Sequence, residues 1–154
     1  MSDFQTSVRK ALEEIDPRYE NYDALVVCGT HTPRTEEVEH ILDAIRIARE
    51  TQTPFLGICF GHQLAAIEYA RNILGIEDAT SEEFGKGTFV VKKRTGLKVG
   101  MQDGETYWSN YEVSLGKPWV KAKNFITVPF HPEYQSSIDK PHQLLVDFLN
   151  ICRK

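Results

Sequence analysis

Cysteine is scarce in this chain: three residues in 154, an odd count that cannot staple a secreted fold and that fits reduced thiols in the cytoplasm. Positive charge is not in excess either. Eighteen Lys and Arg stand against 22 Asp and Glu, a net charge of -4. No basic stripe runs along the chain, so nucleic acid is not an expected partner. No apolar run approaches the roughly 18 residues that a membrane-crossing helix needs, and the N-terminus has no signal-peptide pattern. Neither a membrane nor an extracellular role is expected. Repeats, low-complexity tracts and linker-like stretches are missing too, so residues 1–154 read as a single domain. What is present is ordinary for a globular protein: 41% hydrophobic and 26% charged residues, enough to bury a core without disulfides.

The stretch Pro54–Gly75, PFLGICFGHQLAAIEYARNILG, organises the rest. Phe55-Leu56-Gly57-Ile58 is an apolar run suited to a buried parallel strand. Phe60 to Leu74 reads as a helix, with Ala66, Ala70, Ile73 and Leu74 at helical spacing and Gly75 at its stop. Cys59 falls at the joint. The pattern G-x-C-x-G is a nucleophile elbow with cysteine in place of serine. A side chain on so sharp a strand-to-helix turn needs neighbours without Cβ, because the backbone passes close to itself there. The helix aims its free N–H groups and positive end at the sulfur, which favours thiolate. The Phe60 N–H becomes an oxyanion donor. A lone cysteine is by default a small buried residue, and Cys28 and Cys152 are read that way.

Taken in order, Ser2 to Ile15 is an amphipathic helix with Phe4, Val8, Ala11, Leu12 and Ile15 on one face, Ser2 and Gln5 forming a capping box, and Asp16-Pro17 ending it. Ala24–Val27 is a buried strand, and Cys28–Thr35 is a loop. Glu36 to Glu50 is a second helix with Val38, Ile41, Leu42, Ile45 and Ala48 inward; its acidic start suits the helix dipole. Thr88–Lys93 and Leu97–Met101 read as strands joined at Thr95-Gly96. Tyr107–Val113 and Trp119–Lys123 are further strand candidates. Phe125–Phe130 is another apolar run, and Pro141 starts a last helix with Leu145, Phe148, Leu149 and Cys152 inside. The alternation of strand and helix argues an α/β fold, a mostly parallel sheet with helices on both faces. Ligands bind such sheets beyond the carboxyl ends of the strands. The loop at Cys28 and the elbow at Cys59 are two such ends.

A cysteine nucleophile needs a base, and the base an orienting group. His131 directly follows the Phe125–Phe130 run, and Glu133 follows across the stiffening Pro132. Alone, a His-Pro-Glu tripeptide fits a structural histidine. Beside an elbow it reads as base and orienter. His62 is read as a polar residue of the first helical turn that packs nearby, and His40 and His142 as surface helix residues. Cys28, His31, Cys59 and His62 are not read as a metal site, because the elbow uses Cys59 otherwise. No metal and no cofactor is called for.

These residues carry a resemblance. GICFGHQ with HPE downstream is similar to the class I, triad-type glutamine amidotransferases, and more particularly to the glutaminase domain of CTP synthase. YDALVV, AIRIARE, ATSEEF, Tyr111-Glu112-Val113 and HPEYQS add to it. The resemblance implies a three-layer, flavodoxin-like sheet. It implies that Cys59 attacks the side-chain amide of glutamine, that His131 moves the proton and that Glu133 orients it. Backbone N–H groups of Gly29 and Phe60 would hold the oxyanion, and Gln63 and Glu83 would contact substrate. An anionic Glu83 suits an α-ammonium group.

The chain also departs from the family. The loop P-G-G-F-G becomes Cys28-Gly29-Thr30-His31-Thr32, and Thr30 and Thr32 resist positive φ, so a reshaped oxyanion loop is expected. Asn110 stands where the family has a carboxylate-binding arginine, and a neutral amide does not replace a bidentate guanidinium. Asn110 and His31 are therefore candidates for re-tuning the substrate pocket. The family's first strand is not seen, so an N-terminally reduced sheet is expected, whose open edge would pair with a second copy in a homodimer. The synthetase domain is not seen either.

Three functions follow: glutamine hydrolysis, free-standing or feeding ammonia to a separate synthetase; cysteine-dependent hydrolysis of another γ-glutamyl compound or small amide; or a catalytically silent relative that binds and regulates.

Overall fold

A computed structural model of the chain describes residues 3–21, 23–29, 35–93, 111–114 and 124–153. Helix α1, Asp3–Ile15, buries Val8, Ala11 and Leu12 on one face, as its spacing predicts. Strand β1, Leu25–Val27, leads toward the Cys28 loop. Helix α2, Thr35–Thr51, turns Val38, Leu42, Ile45 and Ala48 inward. Strand β2 is Phe55–Ile58, and all four residues are buried. Helix α3, Phe60–Asn72, follows with one residue between.

Strands β1, β2 and β6 (Phe125–Val128) form a parallel sheet in that spatial order. Register pairs Val27 with Gly57 and Ile58 with Val128. Helix α4, Gln143–Cys152, joins α1 over one face, where Val8, Leu12, Leu56, Ile58, Val128, Leu145 and Phe148 pack together. On the other face Leu42, Ile45, Phe55, Leu64 and Ile67 pack with α2 and α3. Both faces are covered, which is why β2 can be apolar throughout. Phe55 and Phe125 stack at 4.3 Å across β2 and β6.

Beyond α3 lies a second small sheet of β3 (Ala79–Ser81), β4 (Thr88–Lys93) and β5 (Tyr111–Val113). β3 runs parallel to β4 with a shift at Thr80/Ser81, and β5 runs antiparallel to β4. Helix α3 packs against strands of both sheets. It is therefore buried on most of its circumference, Glu68 included.

The boundaries differ from the sequence reading in places. α3 stops at Asn72, so Ile73 and Leu74 are half exposed instead of inward. Both of their N–H groups reach back to Tyr69 O, and Ile76 N–H reaches Ala70 O once Gly75 turns at φ 75°. β3 was not foreseen: Ala-Thr-Ser is too short and too polar to announce a strand. α4 starts two residues after Pro141, and His142 is its cap instead of a helical surface residue; the ring Nδ1 accepts from Leu144 N–H at 3.1 Å. Ser2, Leu97–Met101 and Trp119–Lys123 lie outside the described residues. Among those described, no helix is long and apolar enough to cross a membrane.

Candidate active site

The elbow is built by close approach. Cys59 sits at φ 56°, ψ -98°, left-handed for a residue with a side chain, a strain that functional turns tolerate. A Cβ on Gly57 would lie 2.9 Å from the Phe55 ring and 3.0 Å from the Gly61 backbone. One on Gly61 would strike the Val27 carbonyl. Both glycines are thus needed where the sequence has them. The α3 ladder begins with Gln63 N–H to Cys59 O at 3.1 Å. The Phe60 N–H precedes it, at the positive end of the helix.

Two ties bring β6 to the elbow. Cys59 N–H donates to Val128 O at 2.8 Å, three residues before His131. His62 Nδ1 lies 2.9 Å from Thr127 Oγ1, so His62 of the first helical turn packs onto β6. His131 then caps a 3-10 turn, Pro132–Gln135, which carries Glu133. His131 Nδ1 and Glu133 Oε1 are 2.7 Å apart, and the two side chains are 3% and 0% exposed. Burial opposes a charge on His131, but hydrogen bonds with Cys59 and Glu133 outweigh it and raise the pKa from 6.5 to about 9. Thiol, imidazole and carboxylate are therefore in series, in the arrangement of a nucleophile, a base and an orienting acid.

The remaining candidates are placed unevenly. Gly29 is buried two residues beyond β1. Gln63 is buried on the first turn of α3. Glu83 is half buried in the turn after β3, its N–H held by Ser81 Oγ at 3.2 Å, and burial raises its carboxyl pKa. Phe84 meets Phe60 edge to face at 6.1 Å, which brings the Glu83 turn against the elbow. His31 and Asn110 lie outside the described residues. Cys28 and Cys152 line a cavity of about 380 Å³ between α1, β1 and α4 that Cys59 does not reach. Burial pushes their thiols up to about 12 and about 11, so both stay protonated at neutral pH.

Two neighbours of the site were not legible beforehand. Thr127 looked like a strand residue, and only the β2–β6 register sets it under His62. Tyr134 looked like part of HPEYQS, yet its ring lies 5.7 Å from that of His131.

Known proteins resemble this chain to different depths. The sequence model described as "Glutamine amidotransferase class-I" matches residues 3–119. The CTP synthase of Methanoculleus marisnigri is 32% identical over 76% of this chain and 32% of its own length. That of Thermotoga maritima is 30% identical over 87% of this chain and 36% of its own. The chain thus spans about a third of the length of these relatives. The glutaminase domain of Trypanosoma brucei CTPS, solved with bound acivicin, superposes with a TM-score of 0.73 at 18% identity, covering 96% of this chain and 87% of that one; this is a likeness of fold. With the family match running from α1 across the elbow to β5, the chain belongs to the class-I glutamine amidotransferases, and among them it is similar to the glutaminase domain of CTP synthase.

Proposed function

We propose that the protein hydrolyses the side-chain amide of glutamine, with Cys59 as nucleophile, His131 as general base and acid, and Glu133 as orienting group. The observation that carries this reading is the series from the strained, half-buried Cys59 to the buried His131 and Glu133. The proton that Cys59 gives up rests on His131, whose raised pKa holds it there below about pH 9, and the Cys59 sulfur attacks the amide carbon. The oxyanion is held by the Phe60 and Gly29 N–H groups. His131 returns the proton to the departing nitrogen, so ammonia leaves and a thioester remains. A water molecule, deprotonated by His131, opens the thioester to glutamate and restores the thiol.

Glu83 is proposed to meet the α-ammonium group of the substrate, and Gln63, His31 and Asn110 to line its pocket. The ammonia goes to solvent or to a separate synthetase, the class of partner suggested by relatives whose chains are some three times longer. No cofactor takes part in these steps.

The test is ammonia release from glutamine, and separately from γ-glutamyl amides. Cys59→Ala is expected to lower the rate by at least about 10³-fold. Release from other amides alone would transfer the reading to a different amide substrate. No release from any of them, together with no labelling of Cys59 by an electrophilic glutamine analogue, would leave a binding protein.

A further inference from the structure

Thr127 is a polar residue on an apolar face. Phe125, two residues before it on β6, packs with Phe55, Leu64 and Ile67 on the α3 side of the sheet, and strand alternation turns Thr127 to that same side. A valine would pack there as well. A hydroxyl half withdrawn from water costs stability unless it is hydrogen-bonded, and this one is: His62 Nδ1 lies 2.9 Å from Thr127 Oγ1, across 65 residues of chain.

The bond falls where the elbow leaves the sheet. The β2–β6 pairing ends at Ile58 and Val128, and the Cys59 N–H donates to Val128 O at 2.8 Å. Beyond that point α3 departs, and the course of its first turn sets the direction of the Cys59 side chain. Two neighbouring residues hold that turn. Gly61 rests on the Val27 carbonyl of β1, a close contact that stops α3 from approaching but does not keep it from leaving. His62 reaches the strand on the other side of β2 and supplies a directional bond. β6 is also the strand that delivers His131, three residues past Val128.

We infer that His62 is a positioning residue: through Thr127 it holds the first turn of α3 against β6 and so keeps the Cys59 sulfur within hydrogen-bond reach of His131. The inference rests on the reading of Cys59, His131 and Glu133 given above.

The experiment is the titration of the His131 ring in the folded protein, followed by NMR with labelled histidine and assigned by the signal lost in His131→Asn. The groups that face this ring are Cys59 from the elbow and, from its own turn, Glu133 and the Tyr134 ring. Lys10 and Glu14 of α1 line a cavity with Glu133, and none of these is altered in the variants. The wild-type ring is expected to titrate at about 9. Contact with Cys59 is one of the causes that raise it, so a slack clasp lowers it. Thr127→Val, isosteric without a hydroxyl, and His62→Gln, whose amide takes the place of Nε2 instead of Nδ1, are each expected to lower the value by about one unit. Thr127→Ser, which keeps the hydroxyl, and His62→Asn, whose amide takes the place of Nδ1, are expected to keep it. A clasp that only adds stability would, when cut, lower the melting temperature and leave the titration of the folded protein unmoved, and that result overturns the inference. So does a shift shared alike by all four variants. Should Thr127→Val not fold, Thr127→Ala supplies the hydroxyl-free arm. Cys59→Ala separates the two levels. If it lowers the His131 value while the clasp variants do not, this inference alone falls. If it leaves the value unchanged, the pairing of Cys59 with His131 falls, and the site reading with it.

Discussion

At Cys59 the main chain adopts φ 56°, a conformation that costs a side-chain-bearing residue about 1–3 kcal/mol. The cost is met by the Val128 carbonyl on the Cys59 N–H and by the start of α3. His131 shows the opposite balance. Burial alone would lower its pKa, yet contact with Cys59 and Glu133 raises it to about 9. The sign follows directly. Below about pH 9 the folded protein holds His131 as the imidazolium, which in the proposed reaction would protonate the departing ammonia, and above it that proton is lost. Glutamine hydrolysis is therefore expected to persist up to about pH 9 and to fall above it. In Glu133→Gln, which removes one of the raising partners, the fall is expected at lower pH. A profile of kcat/KM against pH checks both. The G-x-C-x-G spacing disclosed the turn in advance, because few other contexts need two glycines around a cysteine. The local sequence disclosed Glu133 beside His131, two residues away across Pro132, but nothing local disclosed that Cys59 is its other partner.

The elements meet most closely where α3 crosses β1. Gly61 leaves no room for a Cβ beneath the Val27 carbonyl, so Gly61→Ala must push α3 off the sheet. The expected loss is about 3 kcal/mol, at the upper end of overpacking costs, measured by urea unfolding, with slower alkylation of Cys59 as the elbow opens. The four helices among the described residues were legible because each carries apolar residues at helical spacing. Their ends were less so. Ile73 and Leu74 continue the pattern but not the helix, since Gly75 lets the chain turn back on Ala70. β3 escaped notice because three small residues become a strand only when β4 is alongside.

Across the whole molecule, a few charged clasps join segments far apart in sequence. Arg49 of α2 holds Glu68 of α3 with two bonds, at 2.7 and 2.9 Å, and Asn72 adds a third. Glu68 is 1% exposed, so removing its partner strands a buried charge. Arg49→Met is expected to destabilise by about 3 kcal/mol, and the double variant Arg49→Met/Glu68→Gln to recover part of that, since a neutral amide is easier to bury. Equilibrium denaturation of both decides it. Arg153 grips Asp16 across 137 residues at 2.8 Å, fastening the C-terminal end of α4 beside the end of α1. These clasps keep α1 and α4 on one face and α2 and α3 on the other, and so hold the ends of β1, β2 and β6 in line.

The sequence alone determined the elbow, the helix faces, the apolar strands and the nearness of Glu133 to His131, because each depends on residues within a few positions of one another. Only the tertiary structure decided that β6 lies beside β2, so that His131 reaches Cys59 across some seventy residues, and that His62 leans on Thr127. Those relations come from strand order and register, which arise when the apolar faces pack and which no short window of sequence encodes.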